Sequence, residues 1–270
     1  MSLVGTDTHR GFIGVFDSGI GGLSVANAVC GLLPRESLLY LADNARAPYG
    51  PRPLEQVRAF SFELTERLLR AGVKMIVVAC NTATSAAIDQ LREHYPEVPF
   101  VGLEPAVKPA ATGRNIGVLA TRATLESRRY RQLRERYLSD RPVWENACRG
   151  LVPLIEADAP ELDDYLRELL APAQGIDTLV LGCTHYPLIK GRIAAALPAG
   201  VSIIDPSLPA ARQVARRLEQ LAVSGGADAG AEGGEEGVVD FGCSGTMAPL
   251  QRTLSSLPKL NKHRRWLAQV

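Results

Sequence analysis

The chain has 270 residues, 46% of them apolar, and 30 basic against 29 acidic side chains leave a formal net charge of +1. That composition fits a packed globular protein of two ordinary-sized lobes and excludes a chain-wide pull towards nucleic acid or anionic lipid. Five cysteines without a C-x-x-C argue against a disulfide framework or a structural zinc site, while a short polar start and no apolar run of about 18 residues point to a cytoplasmic protein with no membrane span.

In chain order, the first apolar run covers 12–16 and ends at Asp17-Ser18. Gly19, Gly21 and Gly22 follow and open a predicted helix at 19–29. Their spacing is not that of a dinucleotide loop; it suits close backbone approach to a small carboxylate, or a plain structural turn. Asp17 fits two readings, a helix N-cap and a participant in chemistry. Strands at 38–41 and 75–79 flank a helix at 54–71, and a helix at 84–93 comes next. Strands at 100–103 and 116–119 lead to helices at 124–137 and 161–170. A strand at 179–181, a strand at 201–204, a helix at 210–223 and a last strand at 238–241 complete the pattern. The glycine-rich segment 224–237 has nothing to bury and reads as a mobile loop. The tail KLNKHRRW reads as a solvated helix face rather than a nucleic-acid site. Strands alternating with helices specify an α/β fold with mostly parallel sheets.

The chain also echoes itself. I-G-V opens a strand at Ile13 and again at Ile116, and V-V-A-C-N-T at Cys80 is answered by V-L-G-C-T-H at Cys183. Both pairs are 103 positions apart. Two pseudo-symmetric lobes follow, with the active site expected in the cleft between them. In parallel sheets ligands bind beyond the carboxyl ends of the strands, and both cysteines sit at such ends. Cys183 beside His185 alone fits a metal ligand, a nucleophile, an acid/base pair or plain core. Cys30, Cys148 and Cys243 lack such a setting and read as buried filler.

Paired thiols facing each other suit racemisation at a tetrahedral carbon. One group removes a proton from one face, and the other returns a proton to the opposite face. A thiol with an ordinary pKa of about 8.5 can be tuned to either form near neutrality. Asp17 and His185 are placed to tune Cys80 and Cys183. Ser18, Asn81, Thr82 and Thr184 are candidate hydrogen-bond donors to a carboxylate whose transition state gains negative charge.

The stretches IGVFDSGIGGLSV, YLADNARAPYG, VVACNTATSAA, GLVPLIE and LGCTHYPLI occur in order from Ile13 to Ile189. On these the sequence resembles the glutamate racemase family, cofactor-independent isomerases of the aspartate/glutamate racemase superfamily. The resemblance implies interconversion of L- and D-glutamate, supplying D-glutamate for peptidoglycan and so for cell-wall biogenesis and cell shape. It implies a first lobe of residues 1–98 plus 208–270 and a second of 99–207. It puts the catalytic thiols on Cys80, acting on the D-isomer, and Cys183, acting on the L-isomer, with Asp17, Glu156 and His185 in support. Substrate contacts fall on Ser18, Pro48, Tyr49, Gly50, Asn81, Thr82, Thr121 and Thr184. It implies no cofactor and no metal, and family members are often homodimers; some are reported to bind DNA gyrase. Ala42, Asn44 and Ala120 depart from the family's usual residues, at the rim of the site. Competing readings are a racemase for another acidic amino acid, a hydrolase or transferase with one cysteine nucleophile, and an amino-acid-binding protein without turnover.

Overall fold

A computed structural model describes residues 9, 11–225, 236–260 and 264–267, with residues 222–225 by backbone alone. In chain order the elements are β1 (Ile13–Asp17), α1 (Leu23–Leu32), β2 (Leu38–Ala42), α2 (Leu54–Arg70), β3 (Met75–Val78), α3 (Asn81–His94), β4 (Phe100–Gly102) and α4 (Val107–Ala110). Then come β5 (Ile116–Ala120), α5 (Arg122–Leu125), α6 (Arg128–Leu138), β6 (Val143–Asn146), α7 (Leu151–Ala157), α8 (Leu162–Leu170) and β7 (Thr178–Gly182). A short 3-10 turn (Tyr186–Ile189) leads to α9 (Lys190–Ala195), β8 (Ser202–Ile204), α10 (Ser207–Gly225), β9 (Val239–Cys243), α11 (Ala248–Leu254) and β10 (Arg264–Trp266).

The strands form two sheets, ordered β10-β9-β2-β1-β3-β4 and β6-β5-β7-β8, and every pairing is parallel. The central strands β1, β3, β5 and β7 are buried at every residue. Helices cover both faces of such sheets, which is why these strands read as near-continuous apolar runs rather than alternating ones.

The internal echo extends to hydrogen-bond register. Ile13 pairs with Met75 and Ile116 with Thr178; Ile76 pairs with Phe100 and Leu179 with Ile203. Each of these four residues in the first sheet therefore lies 103 positions before its counterpart in the second. β4 lies in the larger sheet, so Phe100–Gly102, expected beyond residue 98 in the second lobe, belongs with the first. α10 packs on α1, returning the chain to the larger sheet before β9.

Several predicted elements change. The helix at 124–137 is two helices. Thr121 Oγ1 accepts from Thr124 N at 3.3 Å and caps α5, and Ser127 Oγ accepts from Tyr130 N at 3.1 Å and starts α6 afresh. The helix expected from residue 19 begins at Leu23, because the glycines form the preceding turn. Asp17 is consequently no N-cap; it is the last residue of β1. Part of the basic tail is an edge strand, β10, rather than a helix face. Its alternation explains this: Arg265 meets Asp240 at 2.7 Å, while Trp266 stacks against Phe241 with ring centroids 5.3 Å apart. β6 was not anticipated, since V-W-E-N is short, half-buried and at a sheet edge. Ser224 and Gly225 close α10, and residues 226–235 of the expected mobile loop lie outside the described residues.

Candidate active site

Cys80 follows β3, and Cys183 follows β7, at the carboxyl ends of equivalent strands. Both thiols line one pocket, together with Ser18, Pro48, Tyr49, Gly50, Asn81, Thr82, Thr121, Thr184 and His185. Eleven of the thirteen expected site residues therefore meet there. Asp17 and Glu156 stand behind this lining. Val152 lines the pocket and was missed; it lies four positions before Glu156 in α7, one helical turn away on the same face.

The two thiols have different surroundings. Cys80 is the N-cap of α3, in extended backbone, and its Sγ accepts from Ala83 N at 3.4 Å. A helix N-terminus favours a thiolate. Burial works against it and, helped by the nearby Asp17 carboxylate, pushes the Cys80 thiol above its ordinary value. Its other contact is a long one, to Ser18 Oγ at 3.9 Å. Cys183 Sγ instead faces His185 Nδ1 at 3.9 Å, and His185 Nε2 meets Glu156 Oε1 at 2.7 Å. Burial alone would push the His185 imidazole down. Its contacts with Cys183 and Glu156 outweigh burial and hold it well above the usual histidine value. For Glu156, burial pulls up, but the His185 hydrogen bond and charge win and hold the carboxyl low. The second wall is thus a charged relay, Glu156 to His185 to Cys183.

Asp17 is fully buried and does not touch Cys80 in hydrogen-bond terms. Its Oδ2 accepts from Gly19 N at 2.9 Å and its Oδ1 from Thr184 Oγ1 at 3.2 Å. Burial raises its carboxyl, partly offset by His185 and the Gly19 and Gly22 amides. The contact to Thr184 ties the first sheet to the second wall of the pocket. The hydroxyls of Thr82 and Thr121, 3.0 Å apart, do the same on the opposite side.

The glycine turn has a specific occupant. Glu156 Oε1 accepts from Ile20 N at 3.0 Å, and a Cβ on Gly19 would collide with that carboxylate. A Cβ on Gly21 would collide with His185 Nδ1 and lie 2.7 Å from Thr184 Oγ1. The glycines admit protein side chains from the other wall, rather than the small carboxylate anticipated for them. Gly21→Ala is therefore expected to displace His185: activity falls while thermal unfolding shows a loss of about 1–3 kcal/mol, the usual cost of an overpacked buried site.

Tyr49 lines the pocket, but its hydroxyl is committed to Asp43. Asp43, also missed by sequence reading, is fully buried. Its carboxylate accepts from Arg46 Nε at 2.6 Å and Ser244 Oγ at 2.8 Å, and its own N–H donates to Asp17 O at 2.9 Å. It knots the wall carrying Pro48, Tyr49 and Gly50 to the end of β1. The signal for it was present: Asp43 directly follows β2, at the same sheet edge as Asp17 and Cys80.

The side-chain amide of Asn81 is buried with neither its oxygen nor its nitrogen hydrogen-bonded. Such a group is costly unless something in the pocket satisfies it. Among the described residues no group of three or more His, Cys, Asp or Glu side chains is arranged to hold a metal ion. The remaining thiols fit inert packing: burial pushes Cys30 and Cys148 up to about 12 and also raises Cys243.

A family model for Asp/Glu/hydantoin racemases matches residues 24–214. The chain belongs to this family. It is accordingly a racemase, an isomerase by class. The match spans both cysteines, Glu156 and His185, while Asp17 and Ser18 precede it. A glutamate racemase of Pseudomonas aeruginosa is 50% identical over 219 residues, covering 78% of this chain and 83% of the relative. One from Clostridium perfringens is 44% identical over 222 residues, covering 79% and 85%. Among solved structures, glutamate racemase from Thermus thermophilus in complex with β-chloro-D-alanine superposes with a TM-score of 0.79, at 41% identity over 98% of both chains. Escherichia coli glutamate racemase, in complex with L-glutamate and the activator UDP-MurNAc-Ala, gives a TM-score of 0.81 at 30% identity, over 97% and 99% of the two chains. The family's two-sheet architecture is thus that of this chain, and no helix among its described residues is long and apolar enough to cross a membrane.

Proposed function

We propose that this racemase interconverts L- and D-glutamate without a cofactor, by proton transfer between Cys80 and Cys183. The observation that carries the reading is the pair of thiols at equivalent strand ends, lining one pocket from two sheets. With L-glutamate bound, the Cys183 thiolate takes the α-proton and the electron pair spreads into the α-carboxylate. The Cys80 thiol then gives its proton to the opposite face of the carbon. The enzyme is left with a Cys183 thiol and a Cys80 thiolate, the state that accepts D-glutamate and runs the reverse step.

Each wall is suited to its half. His185, held protonated by Glu156, stabilises a Cys183 thiolate. Cys80, kept a thiol by burial and by Asp17, is ready to donate. The unpartnered Asn81 amide, with the Ser18, Thr82, Thr121 and Thr184 hydroxyls, supplies hydrogen bonds to the carboxylates as charge builds on them. Pro48, Tyr49 and Gly50 shape the wall, with Asp17 and Asp43 as positioning groups behind it. The wider reading is a cytoplasmic enzyme providing D-glutamate for peptidoglycan, with homodimers as the assembly usual in the family. In this reading the first lobe is residues 1–102 plus 208–270 and the second 103–207, the expected boundary after residue 98 being moved past Gly102 to follow β4.

Incubation with L-glutamate in deuterium oxide tests the proposal. D-glutamate carrying deuterium at Cα is the expected product, and aspartate under the same conditions turns over more slowly. Folded protein that neither changes the optical rotation nor exchanges the α-proton sinks it.

A further inference from the structure

Beside the thiol pocket lies a second, larger cavity of about 700 Å³. The two share Pro48, Gly50, Thr121 and Val152, so the larger space is an antechamber to the smaller. Its walls come from both lobes: the loop before α2 on one side, and the α5 and α7 starts on the other. Much of that wall is apolar, with Pro51, Pro53, Leu54 and Pro153 prominent.

Four charged residues also line the antechamber: Arg52, Arg122, Arg149 and Glu126. Arg122 is neutralised by Glu126 at 2.7 Å. Arg52 is held by neutral acceptors, the Arg46 carbonyl at 2.7 Å and Gln56 Oε1 at 3.1 Å. Neither Arg52 nor Arg149 forms an ion pair among the described residues. The antechamber therefore carries two uncompensated positive charges over apolar walls. Low-dielectric walls concentrate such a field, and it acts on any anion approaching the opening.

We infer that Arg52 and Arg149 form a capture site for acidic amino acids, which they hold by a carboxylate before the ligand passes to the thiols. This rests on the racemase reading for glutamate, an amino acid of net negative charge. The arginines lie outside the thiol pocket, so they act on the ligand's approach and make no contact with the reacting centre. Removing them lowers capture and leaves the proton transfers intact. Because the enantiomers have equal free energies in water, the loss must be the same for both.

The test compares Arg52→Gln, Arg149→Gln and the double variant with the parent, for both enantiomers, at low and raised salt. The double variant is expected to lose about tenfold or more in kcat/KM with kcat within about twofold, and its kcat/KM becomes less sensitive to salt. The Arg52→Lys/Arg149→Lys double variant, which keeps the charges, recovers most of the loss. Arg136→Gln, which removes an equal charge from an exposed face of α6, leaves kcat/KM unchanged. A double variant with the parent's kcat/KM and salt dependence overturns the inference, as does a loss confined to kcat. If Arg52→Gln unfolds, Arg149→Gln alone decides the same way. A parent without racemase activity would refute the catalytic reading instead. In that case calorimetric titration with D-glutamate decides on capture: weaker binding by the double variant supports it, and equal binding overturns it.

Discussion

Cys80→Ala and Cys183→Ala will each abolish racemisation in both directions, by about 10²–10⁴-fold, the range that one positioned acid or base contributes. Neither variant can complete inversion, because each lacks the group on one face of the carbon. They will differ in what survives. Cys183→Ala keeps Cys80 and is expected to exchange the α-proton of D-glutamate with deuterium oxide while forming no L-isomer. Cys80→Ala keeps the His185-supported thiol and should exchange L-glutamate instead. NMR of the recovered substrate distinguishes these outcomes from a single-nucleophile mechanism, in which only one cysteine matters and a covalent adduct accumulates on the other variant. Full racemisation by either variant removes the two-thiol scheme.

The features that support this scheme were unequally legible in the sequence. The thiols were legible because repeated apolar strands, ending in cysteine at equal spacing, encode their own pairing in space. Parallel strands buried on both faces leave little ambiguity, so β1, β3, β5 and β7 fall within a residue or two of expectation. The edge strands β6 and β10 were not legible, since their pairing partners are set by tertiary contacts such as Trp266 on Phe241. The caps at Thr121 and Ser127 were visible as residue types, yet the apolar period ran across them. Glu156 shows the sharper limit. Its sequence neighbourhood is an ordinary amphipathic turn, and only the fold brings its carboxylate to the Ile20 amide, 136 positions away. The glycine turn was misread for the same reason. Its open space belongs to a side chain from the second lobe, and nothing local in I-G-G-L announces that.

Glu156→Gln is expected to move the pH profile as well as lower the rate. In the parent, the contacts with Cys183 and with the Glu156 carboxylate keep His185 protonated to a pH well above the ordinary histidine value, so that Cys183 has a cation beside it. Glutamine still accepts the hydrogen bond but brings no charge. His185 then loses its proton at lower pH, and Cys183 has a neutral ring beside it in place of a cation. The ascending limb of kcat/KM should shift to higher pH, with about a 10–100-fold loss near neutrality that alkaline conditions partly restore, as expected when one tuned acid/base group is detuned. The descending limb, set by loss of the Cys80 proton, stays above the ordinary thiol range in both proteins because burial and Asp17 are untouched. Stability follows the same pair with a defined sign. Glu156 is held low in the fold, so its contribution exists above the ordinary carboxyl value of 4.5 and vanishes as pH falls through the folded value. His185 is held high, so its contribution is complete below 6.5 and fades as pH rises through the folded value. The difference in unfolding free energy between parent and variant should therefore peak between those two values. It should amount there to about 1.5–3 kcal/mol, as for a hydrogen bond to a charged group. Denaturant unfolding across that range, read beside the rate profile, separates a positioning role from a purely structural one. A variant that loses stability while keeping the parent's pH profile would mean that Glu156 braces the fold and leaves Cys183 untouched.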